Sequence, residues 1–337
     1  MSEPYVRAFD GSDNHYELYA EIWNAVRPDD RKTAARLKDE DARRDTRYTQ
    51  VRFLAGISGQ IVGLGAYFQI PWAFHPRRFH LEVMVRPEAR MQGVGTELYK
   101  TVRAGLADHK PIALLAYYRE DWKNSAAFAE KHGFTELYRS FESRLEVAKV
   151  NLAFWELAVR KPAEYGIAIY TLGELRETVP DWERSLWELD SEVGMDTPSP
   201  VPLTPAPLDT YRTEVLQNPD LLPQAFFIAV HEKTGEWVGT STLWKREGLK
   251  LETGFTGVRR AWRRKGIALA LKLRAVKYAK SVHCPEIRTH NASANRPMLS
   301  INEALGFEKE PAWIELVKEM EPGGATARWT EGVEQAL

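Results

Sequence analysis

The sequence predicts an α/β protein of the α+β kind, built as two tandem domains, each a mixed, mostly antiparallel sheet flanked by helices. Three observations lead there. The chain has 337 residues, too long for one typical core and suited to two domains of roughly 150–170 residues. It also repeats itself: Arg90-x-x-Gly93-x-Gly95 is echoed by Arg263-x-x-Gly266-x-Ala268. Gly93 and Gly266 lie 173 residues apart, and the downstream pairs Gly133-Phe134 and Gly306-Phe307 are offset by the same 173. One RxxGxG arises easily by chance, but two with identical downstream spacing mark a duplication. Third, both halves run through the same order of hydrophobic patterns.

In the first half, residues 5–8 read as a short strand, and helical periodicity covers 15–25 and 31–41. Residues 49–55, 60–68 and 80–85 read as three strands, split by the turn at 56–59 and a Pro/His-rich segment at 71–78. A helix at 95–107, an apolar strand at 112–117, a helix at 125–132 and closing strands through 143 follow. The second half offers a strand at 166–170, a helix at 181–189 and strands at 225–231, 237–244 and 251–258. A helix at 266–280, a strand at 286–289, a helix at 297–304 and a strand at 313–318 complete it. The expected boundaries are 1–148, a connecting helical segment at 149–164, 165–321, and a tail at 322–337 without a core pattern.

Composition excludes several classes. Apolar residues make up 44% and charged residues 28%, as in ordinary globular proteins. A formal charge of −1 gives no pull toward nucleic acid or an anionic membrane, so neither is an expected partner. The single Cys284 excludes a disulfide framework within the chain and a zinc-thiolate cluster, and no metal is expected. The opening residues lack an apolar signal core and no stretch reaches the roughly 18 apolar residues of a membrane span. A cytoplasmic protein is the expectation.

Each glycine loop lies between an expected strand and an expected helix. Unpaired N–H groups and the positive end of the helix make an anion site there, most naturally for a pyrophosphate. Gly93 and Gly266 remove the Cβ that would hold a phosphate off the backbone, and Gly95 or the small Ala268 keeps crowding low. Arg90, Arg263, Arg264 and Lys265 add charge-assisted hydrogen bonds. The bland alternative is a helix start with a glycine turn and solvated arginines. The chain has no GxxxxGK[ST], and a dinucleotide fingerprint would open the first βαβ unit, whereas here several antiparallel strands precede the glycines.

A strand, V-x-P-x-x-R-x-x-G-x-G, a helix, a strand and a second helix ending in GF resemble the GNAT superfamily of acyl-CoA-dependent N-acyltransferases, once per half. The tandem arrangement, with TGV before the second loop and NxPMLxxNxxLGF from Asn295 to Phe307 after it, is similar to the mycothiol synthase group within that superfamily. The resemblance implies acetyl-CoA as co-substrate, its pyrophosphate on Arg90, Met91, Gln92, Gly93, Val94 and Gly95, or on Arg263, Arg264, Lys265, Gly266, Ile267 and Ala268. It implies pantetheine along Val83, Met84 and Val85, or along Thr256, Gly257 and Val258, with Asn295 near a helix cap and within reach of it. The implied reaction is N-acetyl transfer to the primary amine of a small molecule by a monomer or homodimer.

The chemistry is expected mainly in the second copy. An attacking amine must lose a proton, and relatives carry a glutamate about six residues before the valine that enters the loop. That residue is Glu252 here, against Phe79 in the first copy; Glu82 stands at another register, and an odd shift turns a side chain to the other face. Glu252 is therefore the expected base, with a solvated strand-end carboxylate as the alternative. Trp122 stands where the second copy has Asn295. The family's frequent tyrosine, five residues before the phenylalanine of GF, is Ala129 in one copy and Asn302 in the other. Water, Asn302 through hydrogen bonding, or His290 are the candidates for the acid, with a structural strand-end histidine as the other reading of His290. The Pro-rich run at 194–209 is expected to form a stiff extended loop, either a wall of the acceptor cleft with Asp196 or Asp209 for an ammonium group, or a plain surface loop. Two further readings stay open: a non-catalytic acyl-CoA-binding scaffold, suggested by the missing tyrosine, and an enzyme acting on a peptide or protein amine.

Overall fold

The computed structural model describes residues 3–329. The first half runs β1 (Tyr5–Ala8), α1 (Asp13–Val26), α2 (Ala34–Arg43), β2 (Gln50–Ile57), β3 (Gln60–Phe68), β4 (Arg78–Val85), α3 (Val94–Gly105), β5 (Ala113–Arg119), α4 (Lys123–Lys131) and β6 (Thr135–Glu146). A run of 3-10 turns with one short helix, α5 (Glu156–Arg160), makes the connection. The second half runs β7 (Ile167–Thr171), α6 (Leu172–Thr178), α7 (Trp182–Gly194), α8 (Leu208–Tyr211), β8 (Leu221–His231), β9 (Glu236–Lys245) and β10 (Leu251–Val258). It ends with α9 (Ile267–Ser281), β11 (Glu286–Ala292), α10 (Arg296–Leu305), β12 (Glu308–Lys309) and β13 (Trp313–Glu319). None of the described helices is long and apolar enough to cross a membrane.

Local chemistry sets the ends. Thr33 accepts from the Arg36 amide and starts α2 three residues later than periodicity alone suggests. A reciprocal Thr171–Glu174 capping box nucleates α6, a helix the hydrophobic pattern does not show. Gly133 and Gly306 sit at φ 76° and 91° and end the helices before them, a conformation that only glycine adopts cheaply. The apolar face of α1, with Tyr19, Ile22, Trp23 and Val26, packs on Leu54, Leu64 and Met84 of the sheet.

The strands form one sheet in the order β1-β2-β3-β4-β5-β13-β6-β11-β10-β9-β8-β7, with β12 beside β6. Pairing is parallel at β4–β5 and β10–β11 and antiparallel elsewhere. The last strand of each half is exchanged: β6 leaves the first half to pair with β11, and β13 leaves the second to pair with β5. At the seam Trp313 lies opposite Ser140, its own mate in the 173-residue repeat. A pseudo-twofold axis therefore passes between them, normal to the sheet. Glu315 opposite Tyr117 repeats as Glu142 opposite His290. The division of the chain at 149–164 thus follows the sequence and not the sheet.

Two further segments, the Pro-rich run and residues 322–329, bind the halves together. The Pro-rich run crosses to the first half: the Tyr138 hydroxyl donates to Pro198 O at 2.8 Å, and the Phe74 amide to Thr204 Oγ1 at 3.0 Å. Val201 and Leu203 pack there with Ala73, Leu115 and Val317. Residues 322–329 are docked rather than a loose tail. Ala325 is buried, Arg78 donates to Gly324 O at 3.3 Å, and the Trp329 ring lies 5.6 Å from His75. The expected tail at 330–337 lies outside the described residues.

Arg288 on β11 is 5% exposed and donates to Glu142 on β6 at 2.9 Å and to Glu286 at 2.8 Å. Removing one partner of a buried ion pair strands the other charge. Arg288→Ala is expected to cost about 3–5 kcal/mol of stability, read from its denaturant midpoint against the parent protein.

Candidate functional site

The two glycine loops share one backbone. Pro87–Ala89 and Arg260–Trp262 each form a 3-10 turn, followed by Arg90 and Arg263, both at φ −68°. Met91 and Arg264 then take φ 61° and 62°, and Gly93 and Gly266 take 85° and 78°. Left-handed residues in such a turn aim neighbouring N–H groups into one concavity, an anion nest, and α3 or α9 begins directly after it. Arg90 Nε donates to Val85 O at 3.1 Å and Arg263 Nε to Val258 O at 3.0 Å. These two arginines therefore brace the loops from beneath, a role the motif alone does not reveal.

Parallel pairing of β4 with β5 lasts only from Arg78 to His80. Beyond it the strands part, and a cleft of about 530 Å³ opens between them. Met91, Gly93, Gly95 and Thr96 line one part of it, Val83, Met84 and Val85 another, and Glu82, Arg27 and Tyr117 a third. Arg90 also touches it; of the other expected loop residues, Gln92 turns back to Glu88 O at 3.3 Å and Val94 is buried core. Tyr117 and Tyr19 hydroxyls both donate to the Glu82 carboxylate at 3.2 Å. Burial first, then the Glu82 charge, holds both phenols above their ordinary range, so they stay protonated donors.

A second cavity, of about 590 Å³, spans the seam. Its floor is the sheet itself: Tyr117 and Arg119 of β5, Trp313 and Glu315 of β13, Ser140 and Glu142 of β6, Arg288 and His290 of β11, and Glu252 of β10. Its roof is the turn after α1, from Arg27 to Asp30. Val26, Arg27, Arg90, Tyr117 and Trp122 line both voids, so they meet at that wall. The Arg27 guanidinium stands there 4.5 Å from the Trp23 ring centre and 4.9 Å from that of Trp313. Trp313 of the last strand is a wall of this cavity.

Charges in this cavity are mostly paired. Arg246 bridges Glu252 and Asp30, each at 2.7 Å. Burial pushes the Glu252 carboxyl up, against the opposing pull of Arg246. Burial acts the same way on Glu142, but the Arg288 hydrogen bond and charge outweigh it and hold that carboxyl below its ordinary range. His290 lies 3.1 Å from Ser140 Oγ and is held neutral by burial, which exceeds the pull of Glu142.

The second copy departs from the first in several ways. Leu251 pairs with Ile287 as Phe79 pairs with Leu114, and a bulge between Thr253 and Thr256 adds a residue to β10. The counterpart of Glu252 is therefore His80 and not Phe79, because the bulge breaks the 173-residue offset upstream of it. Asn295 caps α10, accepting from the Met298 amide at 3.4 Å, and buried Asn302 donates to Asn291 at 2.5 Å. The Thr256 hydroxyl lies 2.9 Å from that of Ser241 beside Gly257, while Val258 and Ile267 are core and Ala268 packs against that core. Lys161 packs on Gly266, where an added Cβ would meet its Cδ at 3.2 Å, and Lys265 Nζ stands 4.5 Å from the Tyr165 ring centre. Asp196 binds Arg260 at 3.0 Å and also Arg263, and Asp209 binds Arg47 at 2.9 Å. Both aspartates expected to hold an ammonium group are engaged elsewhere.

Residues 13–134 and 186–307 match the model of the acetyltransferase (GNAT) family, two segments again offset by 173. The chain belongs to that family, with two tandem copies of its domain. Similar solved structures include a GCN5-related N-acetyltransferase from Sphaerobacter thermophilus, 19% identical over 95% of this chain and 96% of that one, TM-score 0.70. A tandem GNAT protein from the clavulanic acid biosynthesis pathway is 18% identical over 95% and 99%, TM-score 0.73. A GCN5-related glucosamine N-acetyltransferase region of a fungal multi-domain GH3 β-N-acetylglucosaminidase is 14% identical over 94% of this chain and 38% of that one, TM-score 0.71. At these identities the likeness is one of fold. No curated protein matches the chain.

The site carries a pH signature. A histidine held neutral by burial refuses a proton that the unfolded chain accepts near pH 6.5. Its contribution is therefore intact above that pH and lost as the pH falls below it. His290→Gln is expected to flatten the loss of stability between about pH 7 and pH 5, measured as denaturant midpoints across that range.

Proposed function

We propose that the protein is an acetyl-CoA-dependent N-acetyltransferase whose donor enters through the first half and whose acceptor, a small-molecule primary amine, occupies the cavity at the seam. The observation that carries this reading is the shared wall: the cleft beside the first glycine loop and the seam cavity lie on either side of Arg27, Tyr117 and Trp122, which line both. The cleft fits the donor on three counts. The nest at Met91 and Gly93 suits a pyrophosphate, the parted strand β4 offers free amides for pantetheine, and Gly95 leaves the mouth open, an added Cβ meeting only Phe128 at 3.5 Å and Val85 at 3.7 Å. When bound there, acetyl-CoA supplies an activated thioester. A cavity near 590 Å³ walled from both halves suits a small acceptor. Tyr117, a protonated phenol at the shared wall, is the group placed to give a proton to the departing sulfur. A cytoplasmic monomer or homodimer is the setting proposed.

This reading moves the chemistry to the first copy and changes the role of Glu252. Strands lie about 4.8 Å apart, so β10, four places from β5, is about 19 Å away across the sheet. At that distance, and tied to Arg246, Glu252 serves as a far wall that orients the acceptor. The second loop has the same shape, but Asp196 and Lys161 crowd it.

Gly95→Leu is expected to weaken CoA binding at least about tenfold, whereas Ala268→Leu leaves it unchanged at equal melting temperature. The opposite pattern in calorimetry moves the donor to the second copy. Turnover is read as free-thiol release from acetyl-CoA over a panel of primary amines that includes glucosamine, the substrate named for the fungal neighbour. In that assay Glu252→Gln is expected to raise KM for the amine and to hold kcat within about threefold. A kcat loss of about 100-fold restores Glu252 as the base.

A further inference from the structure

The pseudo-twofold places one carboxylate on each side of the seam: Glu315 opposite Tyr117, and its mate Glu142 opposite His290. What faces them differs. Glu142 is locked by Arg288 at 2.9 Å, and the repeat mate of Arg288 is Leu115, which brings no charge. The Glu315 side chain has no ion pair and no hydrogen bond among the described residues, although it lines the cavity. The other carboxylates there are engaged: Glu252 and Asp30 by Arg246, and Asp29 by Arg119 at 3.9 Å. Among the described residues Glu315 is therefore the one carboxylate lining the cavity with neither an ion pair nor a hydrogen bond, while the Arg27 guanidinium stands over Tyr117 and Trp313 nearby. Glu315 sits on the strand next to β5, where directly opposed Cβ atoms lie about 5 Å apart, and its opposite number Tyr117 also lines the donor cleft.

We propose that Glu315 receives the ammonium of the acceptor and takes its proton, so that the exchanged last strand of the second half completes the site of the first. The proposal rests on the donor entering through the first half. In the proton step an N–H bond of the ammonium breaks and an O–H bond forms on the Glu315 carboxylate, leaving a neutral amine with a free lone pair. In the acyl transfer the C–N bond forms as the C–S bond breaks, the sulfur leaves as the thiol with the Tyr117 proton, the nitrogen's second proton restores the Tyr117 phenol, and Glu315 returns its proton to solvent. Burial, which raises the Glu315 carboxyl above its ordinary range, suits it to accept that proton. Tyr117 and Tyr138 face it from the strands on either side; both are neutral donors, which leaves its charge unpaired. The ligand class that follows is a small cationic primary amine.

The test is calorimetric titration of the whole protein, with and without saturating CoA, comparing tyramine with tyrosol and glucosamine with glucose. At least one amine is expected to bind about tenfold more tightly than its hydroxyl analogue, the scale of a charge-assisted hydrogen bond. Glu315→Gln is expected to erase that preference and Glu315→Asp to keep part of it, with CoA affinity and melting temperature unchanged in both. A preference that survives in Glu315→Gln, or that the parent protein lacks, overturns the proposal. If CoA fails to bind while the amine preference and its loss in Glu315→Gln both stand, the donor reading falls and the role of Glu315 in holding the ammonium remains.

Discussion

The exchange of β6 and β13 is the constraint on which the rest of the structure depends. Each half ends in a strand that leaves its own sheet and fills the corresponding place in the other, so neither β5 nor β11 is an exposed edge. The exchange sets Trp313 against Ser140 and makes a single floor from strands of both copies. A cavity at the centre of that floor belongs to neither copy alone. The cleft beside the first glycine loop borders it, sharing Arg27, Tyr117 and Trp122 as a common wall.

Most of the fold was legible because it rests on local rules. Glycine at φ above +60° in both loops and in both GF turns, helix periodicity and strand alternation all leave marks at fixed spacing. The two family matches carry the same 173-residue offset that the glycines and the GF pairs show. The exchange left no such mark. Residues 135–146 look like a closing strand whether they pair with their own half or with the other, since alternation reports a buried face and not the partner. Helix α6 was missed for a related reason, because its start is fixed by a polar capping box rather than by an apolar stripe.

The candidate site was legible only where the backbone carries it. Val83 to Val85, Met91, Gly93 and Gly95, all named from the motif, line the first cleft. The comparison of Glu252 with Phe79 failed because one bulged residue in β10 shifts the register, and a count along the sequence does not register a bulge. Arg27, Tyr117, Glu142, Arg288 and Glu315 went unread because they lie far apart in sequence and are gathered only by the folded sheet and its exchanged seam. A signal was nevertheless present: Glu142 and Glu315 are themselves 173 apart, a pair that a residue-by-residue alignment of the two copies exposes.

That pair also explains why two nearly equivalent places on one floor do different work. A buried carboxylate is costly unless paired, and pairing it removes its readiness to bind a cation or take a proton. On the second-half side Arg288 stands where the first half has Leu115, and it ties Glu142 and Glu286 together across the β6–β11 junction. The charge there is used for cohesion of the seam. On the first-half side Leu115 packs with Val317 and the Pro-rich segment, so cohesion comes from apolar contact and Glu315 is left uncommitted. One substitution between mates thus separates a structural carboxylate from a chemical one. The free carboxylate stands opposite Tyr117, a wall of the first cleft, and the locked one opposite His290, in the half whose glycine loop Asp196 and Lys161 crowd.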